Sequence, residues 1–215
     1  MTAEDLLART IAIVDEVRIR LLAASGVVGC VIGLGVLAAT PAVGEEQLRA
    51  GAKDVSLAGG YSMSGQLGPD RGDEVRGLHL LPHLGFVVTD ERGPGWVRGN
   101  FELLAEPTLI HLDQGDSTAV GIAFLGRWLF AGWGRVRPYF EIGAGVLGGD
   151  VDVPGTSCNT NFILQGGPGV LVFVAPSTAI TLGYRFHHIS NAHVCGDNLG
   201  LNSSLFVVGL SYFFP

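Results

Sequence analysis

From about Val55 onward the chain alternates apolar and polar side chains with a period of two, the repeat of a strand whose two faces meet different surroundings. In "RPYFEIGAGVLGG", Phe140, Ile142, Ala144 and Val146 fall on one side, and Tyr139, Glu141, Gly143 and Gly145 on the other. Near the C-terminus Phe206, Val208, Leu210, Tyr212 and Phe214 share a face. In "WVRGNFELLAEP", Val97, Phe101, Leu103 and Ala105 oppose Arg98, Asn100, Glu102 and Glu106, so the hidden face is the polar one. Eight such stretches occur, at about 55–63, 74–88, 96–107, 117–132, 136–147, 161–174, 178–189 and 203–214. Their connectors alternate too. "SGQLGPDRGD" is long, "TDERGPG" shorter, the segment around "LIHLDQGD" long, "WGR" very short, "GGDVDVPGTSCNT" long, "APS" very short and "SNAHVCGDNLGLN" long.

An even number of strands, apolar on the outside and polar within, joined by short turns at one end and longer loops at the other, predicts an all-β fold. Specifically, it predicts an eight-stranded antiparallel transmembrane β-barrel preceded by an N-terminal signal segment. A soluble exported β-sandwich that binds an apolar ligand is the competing architecture. It has no reason to alternate loop length, nor to put Trp96, Trp128, Trp133 and Tyr212 near strand ends, where membrane interfaces favour aromatic rings. In a small barrel the lumen is filled by side chains, so Glu102, Glu141, Arg98, Arg127, Arg185, His79 and His83 are expected to pair there. A hydrogen-bonded plug is the plain reading and a proton relay the sharper one; neither implies a pore.

Composition moves the picture further toward lipid. The 215 residues suit one domain, and 47% hydrophobic against 15% charged residues, with a mean hydropathy of +0.40, is apolar for a chain dissolved in water. A net charge of -7 offers no basic stripe to displace counterions, which removes nucleic acid as a partner. Arg18 and Arg20 precede the apolar run from Leu21 to Ala39, which ends in "ATPAVGEE". This predicts a signal peptide over residues 1–44, cut after Gly44, and a barrel over 45–215. The long acidic start "MTAEDLLARTIAIVDEV" is atypical of a leader. A retained spanning helix and a lipoprotein box ending at Cys30 are the alternatives.

The candidate chemistry lies in "YRFHHISNAHVC". Stepping by two, Ile180, Leu182, Tyr184, Phe186, His188 and Ser190 share the lipid-facing side, while Thr181, Gly183, Arg185 and His187 take the other. Two strand rises separate the Cα atoms of His188 and Ser190 by roughly 6.6 Å, a gap an imidazole can bridge to reach a hydroxyl. With the N-terminus periplasmic, the seventh strand runs outward. Base and nucleophile would then emerge at the outer-leaflet rim, where an ester held in the membrane could be cleaved. Asn191, or backbone N–H groups in the turn after the serine, would receive the oxyanion. By itself, His-x-Ser is equally the pattern of an interfacial histidine and serine bonded to loop backbone.

"GYRFHHISNA" followed by "NLGLNSSLFVVGLSYFF" resembles the signature of the outer-membrane lipid A 3-O-deacylase family (PagL-type, also called acyloxyacyl hydrolases), and "RGNFELLAEP" and "RPYFEIGAGVL" fit its interior strands. The resemblance implies an eight-stranded barrel in the bacterial outer membrane that hydrolyses the ester at the 3-position of lipid A, or lipopolysaccharide. Ser190 would be its nucleophile, His188 its base, and Asn191 would aid the oxyanion site. It implies no cofactor and no metal, and it admits a homodimer. One position departs from the family pattern. Where a glutamate completes the triad a dozen residues after the serine, this chain has Asn202, with Asp197 in the same loop as a substitute acid. An amide orients an imidazole but does not neutralise an imidazolium. A non-catalytic barrel with a structural or surface role, its triad lost at Asn202, is therefore the second reading. His187 should point into the lumen, and His193 lies in the loop, so neither is a favoured base. Cys158 and Cys195 both fall in outer loops facing an oxidising compartment and are a candidate disulfide. Metal binding by Cys195 and His193 lacks zinc-site spacing.

Overall fold

The computed structural model describes residues 48–64, 74–151, 156 and 158–215. The expected leader, residues 1–44 with Cys30, lies outside the described residues. Eight strands follow in chain order: β1 (Lys53–Ser64), β2 (Arg76–Val87), β3 (Gly99–Leu112), β4 (Ser117–Phe130), β5 (Val136–Val151), β6 (Cys158–Ala175), β7 (Thr178–Ser190) and β8 (Leu201–Phe214). Each pairs antiparallel with the next, and β8 returns to β1 with Phe214 opposite Lys53 and Ser203 opposite Ser64. Closure satisfies every strand edge internally, which is the condition for a sheet to cross hydrocarbon. The sandwich is thereby excluded.

The outer surface reads as the period of two requires. Leu57, Leu84 and Phe124 are each 63% exposed and Val208 58%, a continuous apolar belt that only lipid can cover. Trp96 and Trp133 stand out at 86% and 78% exposure in the connections at the end where β1 begins and β8 finishes, where interfacial anchors belong.

Several strands outrun their sequence pattern: β5 continues to Val151, β6 begins at Cys158, and β3 extends past its expected end. Pro107 marks an end in the sequence, yet β3 runs on to Leu112, and only residues 113–116 connect it to β4. The β2–β3 ladder is interrupted between the pairs Leu80–Leu109 and Leu84–Ala105, so Pro82 and Pro107 both fall where no N–H is called for. Connector length consequently alternates less strictly than expected. Residues 88–98, at the end where β1 begins, form a longer link than residues 113–116 at the opposite end.

Inside, two arginines organise the carboxylates. Arg127 donates from Nη1 to Glu102 at 3.1 Å and from Nε to Glu141 at 2.9 Å, with Nη2 in ion-pair contact with the same Glu141 oxygen at 2.8 Å. Arg185 donates to Glu141 at 2.6 Å and grips both oxygens of Glu106 at 2.7 and 2.9 Å. Gln165 adds a bond to Glu106 at 3.2 Å, and His83 Nε2 lies 2.9 Å from Asp54 Oδ2. Gly85 leaves room for this packing, since a Cβ there would meet Asp54 Oδ1 at 1.7 Å. Removing one partner from such a buried pair costs about 3–5 kcal/mol, so the network specifies the barrel interior more than it adds net stability. Arg98 is the exception to the expected lumen set. It lies in the 88–98 connection, half exposed and paired with Glu91. Apolar layers occupy both ends of the lumen. Val75, Ile110, Leu147, Ile189 and Leu201 lie at the outer end, and Leu129, Tyr139, Leu171, Phe173 and Phe213 at the other.

Candidate active site

β7 carries His188 and Ser190 outward, because Arg185, His187 and Ile189 take the buried alternate positions. Ser190 is the last residue of the strand and lies opposite Phe162 of β6; His188 lies between Leu164 of β6 and Asn202 of β8. Both are half-buried. Toward the membrane centre the same faces turn apolar. Phe186 follows His188 on β7, and on β8 Asn202 and Ser204 give way to Phe206 and Val208. The Tyr184 and Ser204 hydroxyls meet at 3.3 Å, with the Tyr184 ring edge-on to Phe206. His188, Ser190, Asn202 and Ser204 thus form a polar patch on the outward face, at the outer end of the apolar surface.

The imidazole is fixed from the β8 side. Its Nδ1 lies 2.5 Å from Asn202 Oδ1, and an amide oxygen accepts, so Nδ1 carries the proton and Nε2 presents its lone pair. Gly200, buried just before β8, backs the ring. Its φ of +64° suits glycine, and a Cβ there would stand 2.6 Å from His188 Cε1 and 3.3 Å from Nε2. Gly200→Ala is accordingly expected to push the ring off its Asn202 bond. If the ring serves as a base for ester cleavage, assays of the refolded variant should give a tenfold or greater loss of rate, with the barrel still showing a heat-dependent gel shift.

The β7–β8 connection, residues 191–200, is built around Asn191, which is fully buried. Its N–H donates to Asn198 Oδ1 at 3.1 Å, its Nδ2 to the Asp197 carbonyl at 2.9 Å, and its Oδ1 accepts from the His193 N–H at 2.8 Å. Ala192 and His193 both adopt positive φ, 49° and 63°, in the tight turn this creates. Asn191 therefore shapes the turn after the serine from within, with its Nδ2 engaged on the Asp197 carbonyl. Asp197 contributes its backbone carbonyl while the residue stays exposed, and the Nδ1 position that a substitute acid would fill is held by Asn202. His187 is buried in the lumen against His79, ring centroids 5.2 Å apart, and His193 is exposed in the loop.

Cys158 and Cys195 are disulfide-bonded, joining the first residue of β6 to this connection. Closing a chain segment with a separation of 37 residues is worth about 4 kcal/mol in the chain-entropy view, and it ties the turn beside Ser190 to the neighbouring strand. Among the described residues no cluster of His, Cys, Asp and Glu is arranged to hold a metal ion. Asn198 and Gly200 are the site residues that pattern reasoning passes over. The signal for Gly200 was a glycine immediately before a strand, and Asn198 had none beyond its polar loop setting.

A family model described as lipid A 3-O-deacylase (PagL) matches residues 79–211. No curated protein sequence matches the chain. Among solved structures, the outer membrane enzyme PagL is 21% identical, covers 73% of this chain and 97% of its own, and superposes with a TM-score of 0.53. Neisserial surface protein A is 17% identical, with coverages of 76% and 99% and a TM-score of 0.58. At these identities the two structures bear on the barrel alone. The family match covers β3 to β7 whole and most of β2 and β8, with both residues of the outward pair.

Proposed function

The chain belongs to the lipid A 3-O-deacylase (PagL) family of the bacterial outer membrane, and from that premise we propose that it cleaves the ester at the 3-position of lipid A, with Ser190 as nucleophile and His188 as base. The single observation that supports this most is the His188–Asn202 bond on the lipid face. It leaves Nε2 unprotonated on a ring that shares the outward face of β7 with Ser190, two residues further along the strand.

In this reading Ser190 Oγ attacks the ester carbonyl while its proton passes to His188 Nε2. The tetrahedral oxyanion forms beside the turn that Asn191 shapes. As the intermediate collapses, the sugar oxygen leaves and takes the proton from Nε2, and the acyl chain stays on Ser190. Water then attacks the acyl-enzyme, giving its proton to Nε2, and the serine is regenerated as the fatty acid departs. The carbonyl reaches the pair from the surrounding leaflet, so an outward-facing site needs no lumen access, and deacylating water is present at that depth. The lumen carboxylates, held by Arg127 and Arg185, take no part.

Asn202 favours a second reading, a barrel of the same shape without turnover, because an amide supplies no charge to offset an imidazolium. Mass spectrometry of lipid A from cells expressing the full chain separates the two. Loss of one ester-linked chain from the 3-position supports the esterase. An unchanged profile, or loss of a chain from another position, contradicts it.

A further inference from the structure

The connection that follows Ser190 is shaped from within and tied to the barrel from outside. Among the described residues, the hydrogen bonds of 191–198 close inside the connection. Asn191 bonds with Asn198, Asp197 and His193, the Val194 N–H donates to the Asn191 carbonyl at 2.9 Å, and the Gly196 N–H donates to that of His193. Ala192 and His193 adopt left-handed φ of 49° and 63° in succession, a conformation that residues with a Cβ keep only where their surroundings impose it. The bond that leaves this connection for a neighbouring strand is the Cys158–Cys195 disulfide.

Its two ends are held unequally. The β6–β7 ladder stops at the pair Phe162–Ser190, so Cys158 overhangs the end of β7 by four residues, roughly 13 Å of strand. Cys158 is fixed all the same: it is buried, it pairs with Val151 of β5, and its carbonyl accepts from the buried Asn161 at 2.6 Å. Cys195 is exposed in the turn, two residues after His193. Barrel closure runs through the eight ladders and does not use this bond.

Resting on the ester-hydrolase reading above, we propose that the bridged Cys158 and Cys195 are positioning residues for Ser190, and that hydrolysis follows the redox state of their bond. A dithiol reductant supplies two electrons and two protons, the sulfur–sulfur bond breaks into two thiols, and the dithiol closes to its own disulfide. The Cys158 end stays on β6, while the Cys195 end is released with the turn. Residues 191–193 then leave their left-handed geometry, and the Asn191 and His193 N–H groups lose their side-chain acceptors. The strands and the lumen network remain as they were.

The test uses the full chain, refolded with the bridge formed, in neutral micelles. Dithiothreitol is added until mass tagging counts two new thiols. Reduction should lower kcat on a long-chain ester about tenfold or more with KM little changed, because small displacements at a reacting centre carry costs of that order. The heat-dependent gel shift should persist, and reoxidation with oxidised glutathione should restore the rate. Hydrogen exchange should show the Asn191 and His193 N–H groups losing protection on reduction while β6 and β7 keep theirs. A double variant, Cys158→Ser with Cys195→Ser, should hydrolyse at the reduced rate and ignore dithiothreitol. An unchanged kcat in the fully reduced protein, unchanged protection at Asn191 and His193, or a double variant that still responds to dithiothreitol overturns the inference. Hydrolysis by neither form is the separate failure of the esterase reading, and the exchange measurement then still decides whether the bond holds the turn.

Discussion

Ser190→Ala is expected to leave a folded barrel and a lipid A that keeps all of its acyl chains. The hydroxyl belongs to the last residue of β7 and projects from the lipid face, outside both the lumen network and the apolar layers that seal the barrel ends. Its removal should therefore cost well under about 1 kcal/mol of stability, the range of surface substitutions away from caps and cores. The chemical loss is of another order. Without Oγ there is no atom to form the acyl-enzyme, and removing the nucleophile of a Ser-His pair lowers turnover by at least about a thousandfold. Gel mobility with and without heating reports the fold, and mass spectrometry of lipid A reports the chemistry. Continued loss of an acyl chain from the Ser190→Ala strain would mean that the nucleophile lies elsewhere.

Asn202→Asp should move activity in the opposite direction. Asn202 lies directly across from His188 on β8, and its Oδ1 already receives the Nδ1 proton at 2.5 Å, so an isosteric carboxylate inherits the geometry and adds the missing charge. As Nε2 takes the serine proton the ring becomes cationic, and a carboxylate at Nδ1 stabilises that cation where an amide dipole cannot. In a serine protease triad the reverse change lowers turnover by about 10⁴. A partly solvated rim should return less, and a tenfold to hundredfold rise in kcat with little change in KM is the expected result. The stability cost of a carboxylate at the interface is about 1 kcal/mol or less. Steady-state kinetics on a soluble long-chain ester separate kcat from KM. A rate that stays level or falls would show that Asn202 is not the group whose charge limits the base.

Strand number, closure and the assignment of faces were legible in the chain because a period of two leaves a signature at every residue, as Phe206 to Phe214 illustrate. Strand ends were less so. Pro107 ends a strand in most sheets, and its tolerance here depends on the ladder gap it shares with Pro82, a pairing fact that no local pattern contains. Arg98 fell on the polar face of its stretch, but the strand begins one residue later, at Gly99, so parity did not apply to it. The outward direction of His188 and Ser190 followed from parity alone. The tasks of the loop residues did not. Asn191 is named from its place after the serine and the family resemblance, and Asp197 as an acid in the same loop; the bonds around both come from a turn with two successive positive φ values, which no local pattern contains. Gly200 carries no chemistry of its own and becomes meaningful only when His188 is seen against it.

The central claim is that the imidazole and hydroxyl at the end of β7 act together on a lipid ester. Treating the refolded chain with a long-chain fluorophosphonate and mapping the adduct by peptide mass spectrometry tests that claim most directly. One adduct, on Ser190, absent from His188→Ala, is the predicted result. A protein that stays unmodified, or that is labelled at Ser190 as quickly without His188, would contradict it.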